Sequence, residues 1–197
     1  MTNQPSVTIS KVDAAHRQLR TAITLWFTES DPVSTHALVF AAYEVLHTVS
    51  KKRTPSRRDL LFDSDRIKDE YRSDFNKLIK KHAYFFKHAD REPEGIIEFN
   101  PNVNEMFIFF ATVARYYCNI HESQEESAFL WWLRIVRPKF NTELGRIEIE
   151  KLVPIDILEA VRRMPKRDFF DGFCDRSPHL VPKFNALSAM HVIGTST

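Results

Sequence analysis

The chain has 197 residues, of which 43% are hydrophobic and 27% are charged, and its formal net charge is +2. This apolar content offsets the entropy lost on folding, which argues against extensive disorder. A net charge this small does not by itself indicate nucleic-acid binding, so an electrostatic argument must rest on local clusters of charge.

Apolar residues recur at steps of three and four along most of the chain, as they do in amphipathic helices. The turn at Asp31-Pro32 separates the first two helices, and Ser34 is expected to be the N-cap of the second. Ser123 and Glu126 have the spacing of a capping box, and Pro138 follows the end of the helix that they open. In chain order, helices are predicted at residues 12–27, 34–51, 65–91, 102–121, 123–136 and 154–164, with one further turn at 168–173.

These elements predict an all-α protein, a single-domain bundle of about six helices. Residues 1–10 are expected to be a flexible N-terminus, 11–173 the helical domain and 174–197 a peripheral tail. The third and fourth helices are expected to pack antiparallel to each other.

Glycine spacing excludes two common classes of nucleotide-binding enzyme. The chain has four glycines, and no two of them lie in one loop. Loops that bind phosphate through backbone N–H groups need several glycines within a few residues, so neither a P-loop nor a dinucleotide-binding motif is present. No cofactor is predicted.

The N-terminus lacks the basic and then apolar order of a signal peptide, and Cys118 and Cys174 form no Cys-x-x-Cys pair. The densest apolar run, residues 106–114, is much shorter than the roughly 20 residues of a membrane-spanning helix. We therefore expect a cytoplasmic protein without membrane association.

A cationic cluster lies in the last turn of the third predicted helix. Lys87, His88 and Arg91 lie within five positions, and residues 51–91 hold 13 Lys or Arg and 7 Asp or Glu, a local charge of +6. Such a cluster supplies phosphate contacts, and an imidazole beside cations is suited to acid–base chemistry. The alternative is an ordinary solvated helix face whose cations stabilise the helix dipole.

Arg115 and His121 are separated by five residues, in the segment Arg-Tyr-Tyr-Cys-Asn-Ile-His. This spacing resembles the Arg-x4-6-His motif of the HEPN superfamily. The resemblance implies a small helical bundle that often dimerises and, in active members, cleaves RNA without a metal, with Arg115 holding the phosphate and His121 moving a proton. On an unbroken helix the two side chains point about 120° apart, so this role requires the helix to unwind near Asn119.

Two other segments are similar to those of a group of uncharacterised bacterial helical proteins. They are Asp-Pro-Val-Ser-x-His at residues 31–36 and Phe-Phe-Lys-His-Ala-Asp at residues 85–90. This resemblance implies no activity.

The second helix carries candidate metal ligands, because His36, Tyr43 and His47 share one face. The two histidines are about 16 Å apart along the axis and cannot bind one ion, so no metal site is predicted. His36 with His88 and Asp90 is the remaining arrangement for a metal.

Two hypotheses follow from the sequence. The first is a HEPN-like helical protein that binds RNA or a nucleotide, either as an active metal-independent ribonuclease or as a degenerate one. The second is a non-catalytic interaction or scaffold protein. Trp131 and Trp132 are most simply core residues. Consecutive tryptophans on a helix do not both face inward, however, so in the second hypothesis one of them is exposed at a homodimer contact.

Overall fold

The computed structural model describes residues 6–88 and 90–176, and every regular element in this part of the chain is helical. The helices are α1 (Lys11–Phe27), α2 (Pro32–Arg53), α3 (Asp69–Lys87), α4 (Val103–Tyr117), α5 (Gln124–Val136), a 3₁₀ turn (Pro138–Phe140), α6 (Glu143–Leu152), α7 (Ile155–Arg163) and α8 (Lys166–Arg176). The all-α prediction is confirmed, but the described residues contain eight α-helices rather than about six.

The described residues form two compact units. The first contains the residues up to Ala22 and those from Asp31 to Asn119, and the second contains Ile23–Ser30 and the residues from Ile120 onward. The predicted domain limits remain predictions, although residue 174 lies inside α8. Most of the predicted tail, residues 177–197, lies outside the described residues, as do residues 1–5 of the predicted flexible N-terminus.

In the first unit α2 packs against α4 over its length and also contacts α3. Both α3 and α4 pack on α2, and the antiparallel packing of the third and fourth helices stays a prediction. The core consists of fully buried side chains from α1, α2 and α4, which include Leu19, Val39, Phe40, Leu46 and Ile108.

The caps of α2 and α4 differ from the prediction. Asp31, rather than Ser34, is the N-cap of α2: its carboxylate accepts a 2.7 Å hydrogen bond from the Ser34 backbone N–H. Pro32 is then the first helical residue, where its missing N–H costs nothing. Helix α4 ends at Tyr117 rather than His121, because Asn119 adopts a left-handed φ of 55°.

The second unit has an aromatic core. The rings of Trp26 and Trp132 meet edge to face at 4.9 Å, and Phe27 stacks on Phe170 at 4.6 Å. Trp131 is also buried, so the expectation that one of the two consecutive tryptophans is exposed is wrong. The residues of α5 from Glu126 to Ile135 are all buried, and this helix therefore has no free face of its own.

The capping box of α5 is confirmed: Ser123 N donates to the Glu126 carboxylate at 2.8 Å, and Glu126 N donates to the Ser123 hydroxyl. Among the helices of the described residues, none is both long and apolar enough to cross a membrane.

Candidate functional site

Two cavities lie along one side of α3 and the turn that follows it. The first has a volume of about 320 Å³ and the second about 410 Å³. Both are lined by Tyr84 and Arg91, so they meet at these side chains, and we call the two together the α3 groove. The first is also lined by Lys81, Phe85, His88, Glu92, Ile96 and Ile97, and the second by Ser73, Asn76, Lys77 and Lys80.

The α3 groove carries an excess of positive charge. Lys80, Lys81 and Arg91 form no ion pair with any carboxylate of the described residues, whereas Lys77 lies 3.0 Å from Asp74. Sites that bind a single strand of nucleic acid combine cations, which bind the phosphate backbone, with aromatic rings, on which the bases stack. The α3 groove has both.

The turn after α3 shapes this groove. His88 is the C-cap of the helix, and its backbone N–H donates to the Tyr84 carbonyl. At Gly95 a Cβ atom would lie 2.9 Å from the Phe85 ring and 3.0 Å from the Glu92 carbonyl oxygen. Only glycine allows this close approach, which brings the segment from Gly95 against Phe85 and closes one wall of the first cavity.

Of the three predicted phosphate-binding residues, the structure brings His88 and Arg91 together in the first cavity. Lys87 extends toward α2 instead, where its ammonium lies 3.6 Å from the Glu44 carboxylate and 5.5 Å from the centre of the Phe40 ring. The phosphate-binding role of Lys87 stays a prediction, and Lys87 does not line the α3 groove.

The structure describes Arg115 and His121 in different units. Arg115 is on α4 in the first unit and is 4% exposed, while His121 is exposed in the second unit just before α5. The helix ends before Asn119, so the 120° separation of an unbroken helix does not apply to this pair. Their catalytic role stays a prediction.

A second polar cluster in the first unit is centred on Asp59, in the connection between α2 and α3. One carboxylate oxygen, Oδ1, accepts hydrogen bonds from the backbone N–H groups of Leu61 at 3.1 Å and Asp63 at 2.9 Å. The other, Oδ2, accepts from the Tyr43 hydroxyl and lies 2.6 Å from His47 Nδ1. All of the acceptor capacity of this carboxylate is therefore used.

These contacts determine how Asp59 ionises. Burial alone opposes ionisation, but the hydrogen bonds from His47, Tyr43 and Asp63 outweigh it and hold the pKa of the Asp59 carboxyl well below its usual range. Burial and the adjacent carboxylate raise the pKa of the Tyr43 phenol. The Asp59 carboxylate is therefore charged and accepts hydrogen bonds from four donors. We call Asp59, Tyr43, His47 and the two backbone donors the Asp59 hub.

His47, Asp59 and Asp63 each offer a ligand atom, and these atoms lie within 4.8 Å of one another. Imidazole and carboxylate ligands suit several divalent metals. However, the Asp63 carboxylate already pairs with the Lys51 ammonium at 2.6 Å, and Asp59 has no unused lone pair. A metal ion would have to displace Lys51 and two hydrogen bonds, so a hydrogen-bonded hub describes this cluster better.

His36 is fully buried in a cage of aromatic rings. Its Nδ1 lies 2.9 Å from the Asn104 side-chain oxygen, while Nε2 has no hydrogen-bond partner among the described residues. Burial lowers the pKa of this imidazole. The cage rings are Phe40, Phe86, Phe99, Phe107 and the edge of His82.

Sequence reasoning named His88 and Arg91 of the groove but not its lysines, and it missed the cluster around Asp59. The available signal was the pairing of Tyr43 and His47 on one face of α2, followed by two aspartates four positions apart in the next connection. Tyr43 and His47 were interpreted only as candidate metal ligands. The hub depends on backbone donors, which a sequence does not display.

Comparison of the chain with protein-family models, with curated proteins and with solved structures found no match.

Proposed function

We propose that this chain is a HEPN-like helical protein that binds single-stranded RNA or a nucleotide, and that the α3 groove is the binding surface. The observation that carries the proposal is the meeting of two cavities at Tyr84 and Arg91, with unpaired cations on both sides. Each cavity has the volume of an ordinary small-ligand site, so together they accommodate more than one nucleotide.

The chemistry of the lining supports a nucleic acid over other anions. Phosphate groups bind to Lys80, Lys81 and Arg91, while the rings of Tyr84 and Phe85 offer surfaces on which bases stack. Glu92 in the same lining disfavours a purely electrostatic ligand such as a polyphosphate, and a base with N–H donors gives it a partner.

Cleavage would be a second step of this function. The HEPN resemblance assigns that step to Arg115, as the phosphate ligand, and to His121, as the proton-transfer group. Replacing His121 by Asn and measuring the cleavage of bound RNA tests this assignment separately from binding.

Binding is tested with a fluorescent single-stranded RNA of mixed sequence, using anisotropy at low salt. The variant Lys81→Glu/Arg91→Glu changes two exposed cations of the groove, and Lys139→Glu/Lys151→Glu makes the same change of charge at exposed positions of the second unit. We expect affinity to fall about tenfold or more in the groove variant only. Equal losses in both variants would show that binding follows net charge, and no binding by the wild type would remove the proposal.

The alternative function is a scaffold that associates with itself or with a partner. Large apolar side chains are exposed around α6 and α7 of the second unit, including Leu144 at 67% and Ile155 at 61%. In this alternative they form one contiguous apolar patch, and a patch of that kind marks an interaction surface. Sedimentation of the wild type and of Leu144→Lys/Ile155→Lys tests this: a dimer that becomes a monomer in the variant supports self-association, and a wild-type monomer at all concentrations opposes it.

A further inference from the structure

His47 is held in one orientation by its neighbours. Its Nδ1 donates to Asp59 Oδ2 at 2.6 Å, and the ring packs against Phe62 with the ring centres 5.3 Å apart. Asp59 is itself fixed by two backbone N–H groups and by Tyr43. With Nδ1 facing Asp59, Nε2 is the ring nitrogen that remains available to a ligand.

A small cavity of about 10 Å³ lies beside this imidazole, and its lining includes His47, Lys51, Arg57 and Tyr117. The His47 side chain is 18% exposed, so solvent reaches the ring. A cavity of this size admits about one oxygen atom of a ligand, while the rest of the ligand lies outside it.

The Arg57 side chain lines this cavity and has guanidinium N–H donors available to a ligand. Its guanidinium lies 4.5 Å from the centre of the Tyr117 ring and forms no ion pair with a carboxylate of the described residues. A guanidinium presents several N–H donors in one plane, a geometry that matches phosphate oxygens. Lys51, by contrast, is committed to Asp63 and to the Arg57 carbonyl.

One aromatic ring connects this cavity to the α3 groove. Lys80 Nζ lies 4.6 Å from the centre of the Phe62 ring, and Asn76 donates a hydrogen bond to the Phe62 carbonyl at 3.0 Å. Phe62 also contacts His47, and both Lys80 and Asn76 line the groove. The residue that packs on the imidazole is therefore in contact with two residues of the groove.

We propose that His47 is the general base of an RNA-cleaving site that adjoins the α3 groove, with Arg57 binding the phosphate that is attacked. This inference rests on the proposed function, because the groove supplies the binding of the RNA. It assigns the proton transfer to His47 rather than to His121.

In this reaction His47 Nε2 takes the proton of a ribose 2′-hydroxyl whose oxygen occupies the small cavity. That oxygen forms a bond to the adjacent phosphorus, and the bond from phosphorus to the 5′-oxygen of the next nucleotide breaks. The departing 5′-oxygen takes a proton from water, so the products are a 2′,3′-cyclic phosphate and a 5′-hydroxyl. Asp59 stabilises the imidazolium that forms, and Arg57 stabilises the extra negative charge on the phosphate.

The competing explanation is that His47 only ties α2 to the connection that follows it. The variant His47→Asn separates the two explanations, because the Asn amide retains a donor for Asp59 but its other atom, a carbonyl oxygen, is not basic enough to take the proton of a hydroxyl. Arg57→Ala removes the phosphate ligand and leaves the Asp59 hub in place. Circular dichroism establishes that each variant is folded.

The experiment uses the full chain, a labelled single-stranded RNA of mixed sequence and the same RNA with every 2′-hydroxyl methylated, both in EDTA. Anisotropy measures binding, and gel electrophoresis with end-group analysis measures cleavage. We expect the wild type to bind both RNAs and to cleave only the unmethylated one, with cyclic phosphate ends. His47→Asn is expected to bind as the wild type does and to cleave about 100-fold more slowly or less.

The outcomes separate this inference from the proposed function. RNA that is bound but not cleaved by the wild type overturns the role of His47 and leaves the binding proposal intact. Cleavage by His47→Asn at the wild-type rate, or cleavage lost only in His121→Asn, also overturns it. Absence of RNA binding removes both proposals. Loss of cleavage with unchanged binding in His47→Asn, together with a loss of cleavage in Arg57→Ala that is larger than its loss of binding, supports this one.

Discussion

Replacing Asp59 by Asn tests the hub that fixes the connection between α2 and α3. Four donors point at this carboxylate: two backbone N–H groups, the Tyr43 hydroxyl and His47 Nδ1. The Asn side chain has one acceptor oxygen, so two donors lose their acceptor and face an N–H group instead. We expect a loss of about 3–5 kcal/mol in the free energy of unfolding, as for a buried charged group that loses its partners.

Unfolding by urea, followed by circular dichroism at 222 nm, measures this loss. Tryptophan fluorescence is less suitable because Trp26, Trp131 and Trp132 all belong to the second unit. The matched control is Asp74→Asn. Within residues 6–88 and 90–176 the Asp74 carboxylate pairs only with Lys77, and it is 81% exposed, so this change is expected to alter stability by less than about 0.5 kcal/mol.

The pH dependence of the difference in unfolding free energy between the wild type and Asp59→Asn provides a second test. The pKa of Asp59 is lowered in the folded state, so its contribution to stability is present above the unfolded value of about 3.9 and is lost as the pH falls through the folded value. The gap between wild type and Asp59→Asn is therefore expected to narrow below about pH 4. A variant as stable as the wild type at pH 7 would refute the hub.

Three further changes have defined outcomes. Gly95→Ala brings a Cβ to 2.9 Å from the Phe85 ring and 3.0 Å from a backbone oxygen, so we expect a loss of about 1–3 kcal/mol by urea unfolding and weaker RNA binding; wild-type values for both would contradict the described turn. Burial lowers the pKa of His36 in the folded state, so the unfolded chain binds the extra proton first and stability falls as the pH drops below about 6.5. The variant His36→Asn is expected to lose this part of the pH dependence of stability, so its melting temperature should fall less than that of the wild type between pH 7 and pH 5.5. An equal fall in the wild type and the variant would contradict the role of His36. Ser123→Ala removes the side-chain acceptor of the α5 capping box and is expected to cost about 1 kcal/mol, measured by the fluorescence of the tryptophans in the same unit; no change in the midpoint would argue against the cap.

The long helices followed from the sequence because their apolar stripes are regular. Helix α1 lies within one residue of its predicted limits, and the capping box of α5 marks that helix correctly. Helix α6 went unpredicted because only Gly145 and Ile149 of its ten residues are buried, which leaves no apolar stripe to detect. Helix α8 was predicted as a single turn for a similar reason, since its buried residues, Phe169 and Phe170, are adjacent rather than periodic.

The candidate sites were predictable only in part. The local charge of residues 51–91 indicated a basic segment and drew attention to His88 and Arg91, but it did not single out Lys77, Lys80 and Lys81. Nothing in the sequence indicates that Lys87 extends toward Glu44 on another helix. The connection after α2 has no apolar period, so its sequence does not indicate that it is held in place. It is nevertheless fixed by Asp59, whose partners are two backbone groups and two side chains of α2, and contacts of that kind leave no periodic signal.

The salt dependence of RNA binding tests the central claim most directly. Four cations line the α3 groove, namely Lys77, Lys80, Lys81 and Arg91. If each contacts a phosphate of a single strand, the logarithm of the association constant falls with the logarithm of the salt concentration with a slope of about −3. We predict that slope for the wild type and about half of it for Lys81→Glu/Arg91→Glu. The same slope in both proteins would contradict the assignment of the groove as the RNA-binding surface.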